Sequence, residues 1–494
     1  MRTRPINDEG LRAAAAVLVP AGVDWDRLSG PDLLQALDRD VPGPDERAAY
    51  LLLAVLARRI PTLDQVRSFT REWRMSGLAS PLHSEYTRLR IDRRARRVRI
   101  VGGVVIDVTD TSRSSFTTGI QRVARETVTR WARDGDVTLA AWDVLGDNLT
   151  ELTAGETDRV LLGEHADPVG EPDVLVPFDA VFVLPEITVA AGRTASIRTV
   201  VRHGARRSVA VGFDCIPVTT AETSGPGMPG AFSSYLSLLA GFDAVAPISS
   251  AAHTEYSGWA AMLPGAGLEP PLIETVSLPA QVGVVDDETM RSVAQQLGLT
   301  GAPVVLSVGS HEPRKNHLAL LTAAELNWRR GHEFTLVLVG GNAWGDHEFQ
   351  HMVATLRRKG RSVSMLSGVD DDVVWSLYRQ ARLTVFCSVN EGFGLPVVES
   401  LASGVPVITS DFGSMRELGE GHGALVVDPH DPRAIAEAME RLLIDDSLHA
   451  ELVALTAGLP RPTWDDYASE LWGVVTGGEA PEPDASAAVV AAAS

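Results

Sequence analysis

The stretch TVFCSVNEGFGLPVVESL, Thr384 to Leu401, decides the fold. Thr384–Val389 is β-branched and apolar, as a buried strand requires. Asn390 and Glu391 stand at its carboxyl end. In the turn Gly392-Phe393-Gly394 two residues lack a Cβ, so the backbone can approach a ligand closely. Pro396 suits the start of a helix, and Val397, Val398 and Leu401 give that helix an apolar side. Such a strand–turn–helix unit aims free N–H groups and the positive end of a helix dipole at one point, which suits a phosphate. Glu391 and Glu399 bracket the turn, and a carboxylate accepts hydrogen bonds from sugar and ribose hydroxyls. The unit predicts a pocket for a ligand that is part phosphate and part polyol.

Around this unit runs a chain of 494 residues, long enough for two cores. Its composition, 45% hydrophobic and 22% charged, is that of a globular protein. A net charge of −20 argues against nucleic acid as partner, because phosphate backbones need a basic face. Both cysteines, Cys215 and Cys387, lie in apolar runs, which excludes a disulfide framework and fits a reducing compartment. No charged-then-apolar leader opens the sequence and no apolar run is long enough to span a bilayer, so a cytoplasmic location is expected.

Residues 1–98 read as a helical appendage. Leu11–Val19, Asp32–Leu37 and Glu46–Arg58 are its helices, and Ala49, Leu51, Leu52, Leu53, Val55 and Leu56 are too apolar to stay exposed. Arg88, Arg90, Arg93, Arg94, Arg96, Arg97 and Arg99 then form a basic run. It reads either as a solvated linker or edge strand facing the protein's own acidic surface, or as a peripheral contact with an anionic membrane.

Residues 99–283 predict a first domain. Val101–Val108 is its opening strand, Thr109–Gly119 a polar loop, and Ile120–Trp131 a helix whose buried stripe is Ile120, Val123, Ala124 and Val128, with Arg122 and Arg125 on other sides. Further strands are Val137–Trp142, Ala180–Leu184, Ser208–Gly212 and Ala244–Ile248, and Thr220–Phe232 reads as a mobile loop. Ser249 and Ser250 can cap the helix that follows. After a hinge at Leu278–Asp287, residues 284–460 alternate strand and helix again: Val304–Gly309, His317–Arg330, Phe334–Gly340, Val363–Leu366, Asp371–Ala381, the opening unit, Val405–Ser410, Ala424–Val427 and Pro432–Leu443. The predicted fold is α/β, with two doubly wound parallel-sheet (Rossmann-like) domains facing each other across a ligand cleft. Residues 461–476 hold a last amphipathic helix that packs back, and 477–494 read as a disordered tail.

The second half resembles the nucleotide-sugar domain of GT-B glycosyltransferases, family 4, in the set called glycosyl transferases group 1. The resemblance rests on SVGSHEPRKNH (Ser307–His317), LVLVGG (Leu336–Gly341), LSGVDDDVVWSLYRQA (Leu366–Ala381), the opening stretch, GVPVITSDFGSMREL (Gly404–Leu418) and ALVVDPHDP (Ala424–Pro432), in that order. In the first half, TGIQRV (Thr118–Val123) is similar to the first loop and helix of bacterial polysaccharide-type members. The resemblance implies that Glu391 contacts the donor sugar and Glu399 the ribose. Backbone groups of Gly392, Phe393, Gly394 and Leu395 would meet sugar and diphosphate, and Lys315 would neutralise the diphosphate. Ser310 stands where an arginine is common, so either Arg314 serves in its place or the diphosphate is held less tightly. Ser367, Gly368 and Val369 match the segment that holds the base, and Gly119 would face the diphosphate. Asp214 falls where relatives carry a His-Asp pair, with Phe213 in the histidine's place. It either orients an acceptor hydroxyl or caps a turn, and His203 and His253 are the neighbouring histidines.

The implied reaction is retaining transfer of a sugar from a GDP- or UDP-linked donor to a glycan, lipid-linked or small-molecule acceptor, with no metal and no other cofactor. Asp370-Asp371-Asp372 reads as a helix cap and dipole contact. Alternatives on the same fold are a sugar-nucleotide epimerase, a phosphorylase or a non-catalytic sugar-binding protein.

Overall fold

The computed structural model describes residues 8–19, 22–88, 97–114, 118–164, 172–299, 301–341 and 347–478. Most of the arginine-rich run and nearly all of the expected tail lie outside them.

The first sheet has nine strands: β1 Val98–Val101, β2 Val104–Asp107, β3 Val137–Trp142, β4 Leu149–Glu151, β5 Val174–Pro177, β6 Ala180–Leu184, β7 Ala205–Gly212, β8 Ala244–Pro247 and β9 Leu272–Ile273. Their order is β1-β5-β4-β3-β2-β6-β7-β8-β9. Pairing is parallel except where β4 runs against β3 and β5. The single strand expected at Val101–Val108 is two, broken at Gly102-Gly103, and the halves take different neighbours, β5 for β1 and β3 with β6 for β2. The expected loops are partly helical: Thr109–Arg113 forms a short helix, and a helix begins at Met228, with Pro229 in its first turn.

The N-terminal helices do not form a separate unit. The helix Glu46–Ala57 is buried from Ala48 to Leu56 and shares one continuous core with β1, β5 and β6. Each fully buried Leu or Val there is worth about 1.5–3 kcal/mol over an exposed one. The Tyr50 hydroxyl donates to the Pro177 carbonyl at 3.0 Å, which fixes the helix over the sheet. Two further helices, Leu63–Ser76 and Ala79–Arg88, complete the layer.

The second sheet is wholly parallel: β10 Val304–Val308, β11 Thr335–Val339, β12 Val363–Leu366, β13 Ala381–Phe386, β14 Val407–Ser410 and β15 Ala424–Val427, in the order β12-β11-β10-β13-β14-β15. Strand order reverses between β10 and β13. In open α/β sheets the crevice at that switch point, beyond the carboxyl ends, is where ligands bind. In the first sheet the corresponding reversal lies between β2 and β6.

The chain passes between domains twice. Residues 274–286 lead into the helix Asp287–Gln296, and residues 457–463 lead back to the helix Trp464–Thr476. That last helix packs on the first domain, where Trp131 Nε1 donates to the Ala468 carbonyl at 2.9 Å and Arg207 Nη2 to the Val474 carbonyl at 2.8 Å. Phe393 and Val398 of the second domain join the same core cluster, so apolar contact runs across the cleft. No helix among the described residues is long and apolar enough to cross a membrane.

Candidate active site

The loops after β10 and β13 meet at the second sheet's switch point. Val389 N donates to the Arg314 carbonyl at 2.9 Å, and Asn316 Nδ2 donates to the carbonyls of Cys387 at 3.1 Å and Pro429 at 2.7 Å. This stitching aims Arg314 and Lys315 at Glu391. Lys315 Nζ lies 2.7 Å from Glu391 Oε1, and Arg314 Nη1 bonds Glu391 Oε2 and donates to the Asn390 carbonyl at 3.0 Å. The three side chains are 9–16% exposed. Burial alone would raise the Glu391 carboxyl, but Arg314 and Lys315 outweigh it and hold it down to about 2. Burial, together with Arg314, pulls the Lys315 ammonium below its usual value against the attraction of Glu391. Ser310 is engaged elsewhere, its hydroxyl donating to Glu312 at 2.6 Å, and Glu312 in turn takes Arg314 Nη2 at 3.3 Å. Two cations thus rest on buried carboxylates at the switch point, and charge-assisted hydrogen bonds of this kind also suit a diphosphate.

The turn after Glu391 is set by two glycines. Gly394 has φ +104° and forms the N-cap of the helix Leu395–Ala402, a conformation that side chains resist. Gly392 is pressed against the other domain: a Cβ on it would meet the Phe213 carbonyl oxygen at 2.2 Å. The Gly392 carbonyl also accepts Ser249 Oγ at 2.5 Å, while Ser249 caps its own helix through Ala252 N at 2.9 Å. Phe393 is buried in the interdomain core, and Leu395 is half-buried at the helix start. Glu399, one turn further, is buried and fully partnered. Its Oε1 takes Arg122 Nη1 at 2.6 Å and its Oε2 takes the Tyr378 hydroxyl at 3.0 Å.

Asp214 lies at the carboxyl end of β7, beside Phe213 and so beside Gly392. Its Oδ1 accepts Ile216 N at 3.1 Å, the expected turn contact, yet it also feels Arg314 across the cleft. Burial, reinforced by Glu255 and Glu391, pushes its carboxyl up to about 6 although Arg314 opposes this. The two histidines are placed elsewhere. His203 is buried against Tyr50 and Glu46, and His253 pairs with Thr275 at 2.9 Å.

The remaining expected residues are near the site but outside its cluster. Gly119 opens the helix Gly119–Asp134 behind the Thr118–Gln121 capping box, with open space where a side chain would stand. Ser367 and Gly368 are exposed and Val369 is half-buried, at the carboxyl end of β12, two strands from the switch point. Asp370 occupies an N-cap position without the expected side-chain hydrogen bond. Among the described residues no group of three or more His, Cys, Asp or Glu could hold a metal ion.

Sequence reasoning missed Arg122 and Tyr378 as partners of Glu399. Helical spacing put Arg122 off the buried stripe, but only the interdomain geometry gives it a carboxylate. It also missed the ion cluster filling the first sheet's switch point. There Arg193 Nη2 is 3.0 Å from Asp107 and 3.3 Å from Glu186, all three nearly fully buried, and Nη1 is 2.7 Å from Asp110. Glu186 accepts Asp110 N at 2.8 Å and Thr111 N at 2.6 Å, so it pins the loop after β2.

Residues 291–455 match the family described as glycosyl transferases group 1. The serotype-specific mannosyltransferase WbdA of Escherichia coli is 28% identical over 360 residues, 69% of this chain. Those residues are 42% of WbdA, so the chain spans less than half the length of this relative. Among solved structures, Anabaena Alr3699/HepE in complex with UDP superposes with TM-score 0.54 at 17% identity, over 76% of this chain and 100% of that one. WaaG, a glycosyltransferase involved in lipopolysaccharide biosynthesis, gives 0.53 at 16%, over 76% and 100%. Residues 291–455 of the second domain thus match the glycosyl transferases group 1 model, and the two domains together have the GT-B fold.

Proposed function

We propose that the protein transfers a sugar from a nucleotide diphosphate donor to an acceptor hydroxyl. One observation carries this reading: Arg314 and Lys315 converge on Glu391 at the switch point of the second sheet, with the Gly392–Gly394 turn facing the first domain. In the reading, the donor diphosphate takes the two cations from Glu391, and Glu391 then accepts a sugar hydroxyl. Glu399 takes the ribose, Ser367–Val369 the base, and Gly119 faces the diphosphate. Negative charge growing on the leaving phosphate meets Arg314 and Lys315 already in place, which is electrostatic preorganisation. The reading therefore assigns the site no metal, and it assigns attack from the leaving-group side, with retention. Asp214 is the carboxylate placed to orient the acceptor.

Similarity to a mannosyltransferase supports a hexosyl donor, and the UDP complex of HepE supports a nucleoside diphosphate in this fold. We place the acceptor, a glycan, lipid-linked or small molecule, on the first domain's side of the cleft. We place the reaction in the cytoplasm, where Cys215 and Cys387 stay as free thiols, with the arginine-rich run as the segment for contact with anionic lipid. The test is release of nucleoside diphosphate from UDP- and GDP-sugars with and without candidate acceptors. Acceptor-dependent release supports a transferase. Release of an altered sugar without acceptor supports an epimerase instead.

A further inference from the structure

Glu399 does not wait unpartnered for a ribose. Tyr378, which holds one of its oxygens, belongs to the same domain and is fully buried. Arg122, which holds the other, comes from the opposite wall of the cleft. It sits in the first turn of the helix Gly119–Asp134, where the helix dipole disfavours a cation that lacks an anion nearby. Its guanidinium lies 5.9 Å from the centre of the Trp464 ring, and its side chain is 31% exposed. Burial works against its charge, and Glu399, Glu126 and Asp371 together outweigh burial. The side chain thus joins the first-domain helix start to the carboxylate that the reading above assigns to the ribose. A carboxylate has lone pairs enough for both partners.

We propose that Arg122 is a stand-in for the ribose: it occupies Glu399 from across the cleft, and a nucleotide binds by displacing it. This rests on the nucleotide-sugar reading above and concerns how that site is opened. Measured affinity is then reduced by the fraction of molecules in which Arg122 has left Glu399.

The experiment titrates UDP, GDP and ADP calorimetrically into the full chain as wild type, Arg122→Ala and Arg122→Lys, with small-angle scattering of each ligand-free protein. The expected result is that Arg122→Ala binds the accepted nucleotide about three- to tenfold tighter, with a larger ligand-free radius of gyration. Arg122→Lys, which keeps a cation on Glu399, stays within about twofold of wild type. In a Glu399→Gln background the gain from Arg122→Ala disappears. If Arg122→Ala binds as wild type does, or more weakly, the displacement role is overturned while the donor site stands. If the wild type binds none of the three nucleotides, the donor reading falls and the role of Arg122 falls with it.

Discussion

Gly392 in the second domain leaves no room for a side chain beside Phe213 in the first: an added Cβ would lie 2.2 Å from the Phe213 carbonyl oxygen and 3.2 Å from the Cβ of Asp214. The nearest atom is backbone and cannot swing away. Gly392→Ala is therefore expected to hold the domains apart without disturbing either core. Transfer should fall about ten- to a hundredfold, since misplacement of about 1 Å is enough for such losses. Small-angle scattering should show a wider molecule, with the urea midpoint close to wild type.

Glu391 holds two buried cations together. Glu391→Gln leaves Lys315 without its carboxylate and Arg314 with Glu312 at 3.3 Å, a change of the kind that costs about 3–5 kcal/mol when a buried ion pair loses one partner. A nucleoside diphosphate supplies the missing charge. Thermal unfolding should then show a less stable variant whose gain on adding UDP or GDP exceeds that of wild type. Full transfer activity in Glu391→Gln would contradict the pocket as described.

Asp214 gives a pH signature. Its folded-state carboxyl, pushed up to about 6, stands above the unfolded value of about 3.9. Its contribution to stability is complete below about pH 3.9 and is lost as pH rises through about 6. Asp214→Asn should flatten that part of the stability-against-pH curve, read by urea unfolding from pH 4 to pH 7. If ionised Asp214 orients the acceptor, kcat/KM rises through the same range in wild type and this rise vanishes in the variant.

Among the described residues, Arg193 is the cation between Asp107 and Glu186 at the first sheet's switch point. Arg193→Met should destabilise by about 3–5 kcal/mol at pH 7, because two buried carboxylates lose their partner. Burial, reinforced by Asp110 and Asp107, already lifts Glu186 to about 7 in spite of Arg193. Acidification to pH 5 should therefore restore part of the lost stability by protonating Glu186, which denaturant titration at the two pH values will measure.

The second domain was legible because its signals are local. Thr384–Leu401 carries strand, turn, cap and helix in one stretch, and β10 is an apolar run followed by Gly309. The first domain was less so. β4 and β9 are too short to show a pattern, and β1 and β2 read as one run because both are apolar. Glu391 stands beside a turn that the sequence itself shows, whereas Lys315 and Arg314 were named through the family resemblance; the structure brings both cations onto Glu391. Arg122 could not be joined to Glu399, since nothing in a helix face says which carboxylate another domain will bring to it. The buried Arg193 cluster was hidden for a similar reason: Glu186 and Arg193 are close in the chain, but Asp107 lies 86 residues before Arg193 and meets them only at the sheet's reversal.

The central claim is that Lys315 grips a donor diphosphate beside the Gly392–Gly394 turn. Calorimetric titration of a panel of nucleotide diphosphate sugars into wild type and Lys315→Ala tests it most directly. The account predicts that wild type binds at least one of them and that Lys315→Ala binds it about ten- to a hundredfold more weakly, the worth of a charge-assisted hydrogen bond. Equal binding by the two proteins, or no binding of any nucleotide sugar by wild type, would contradict it.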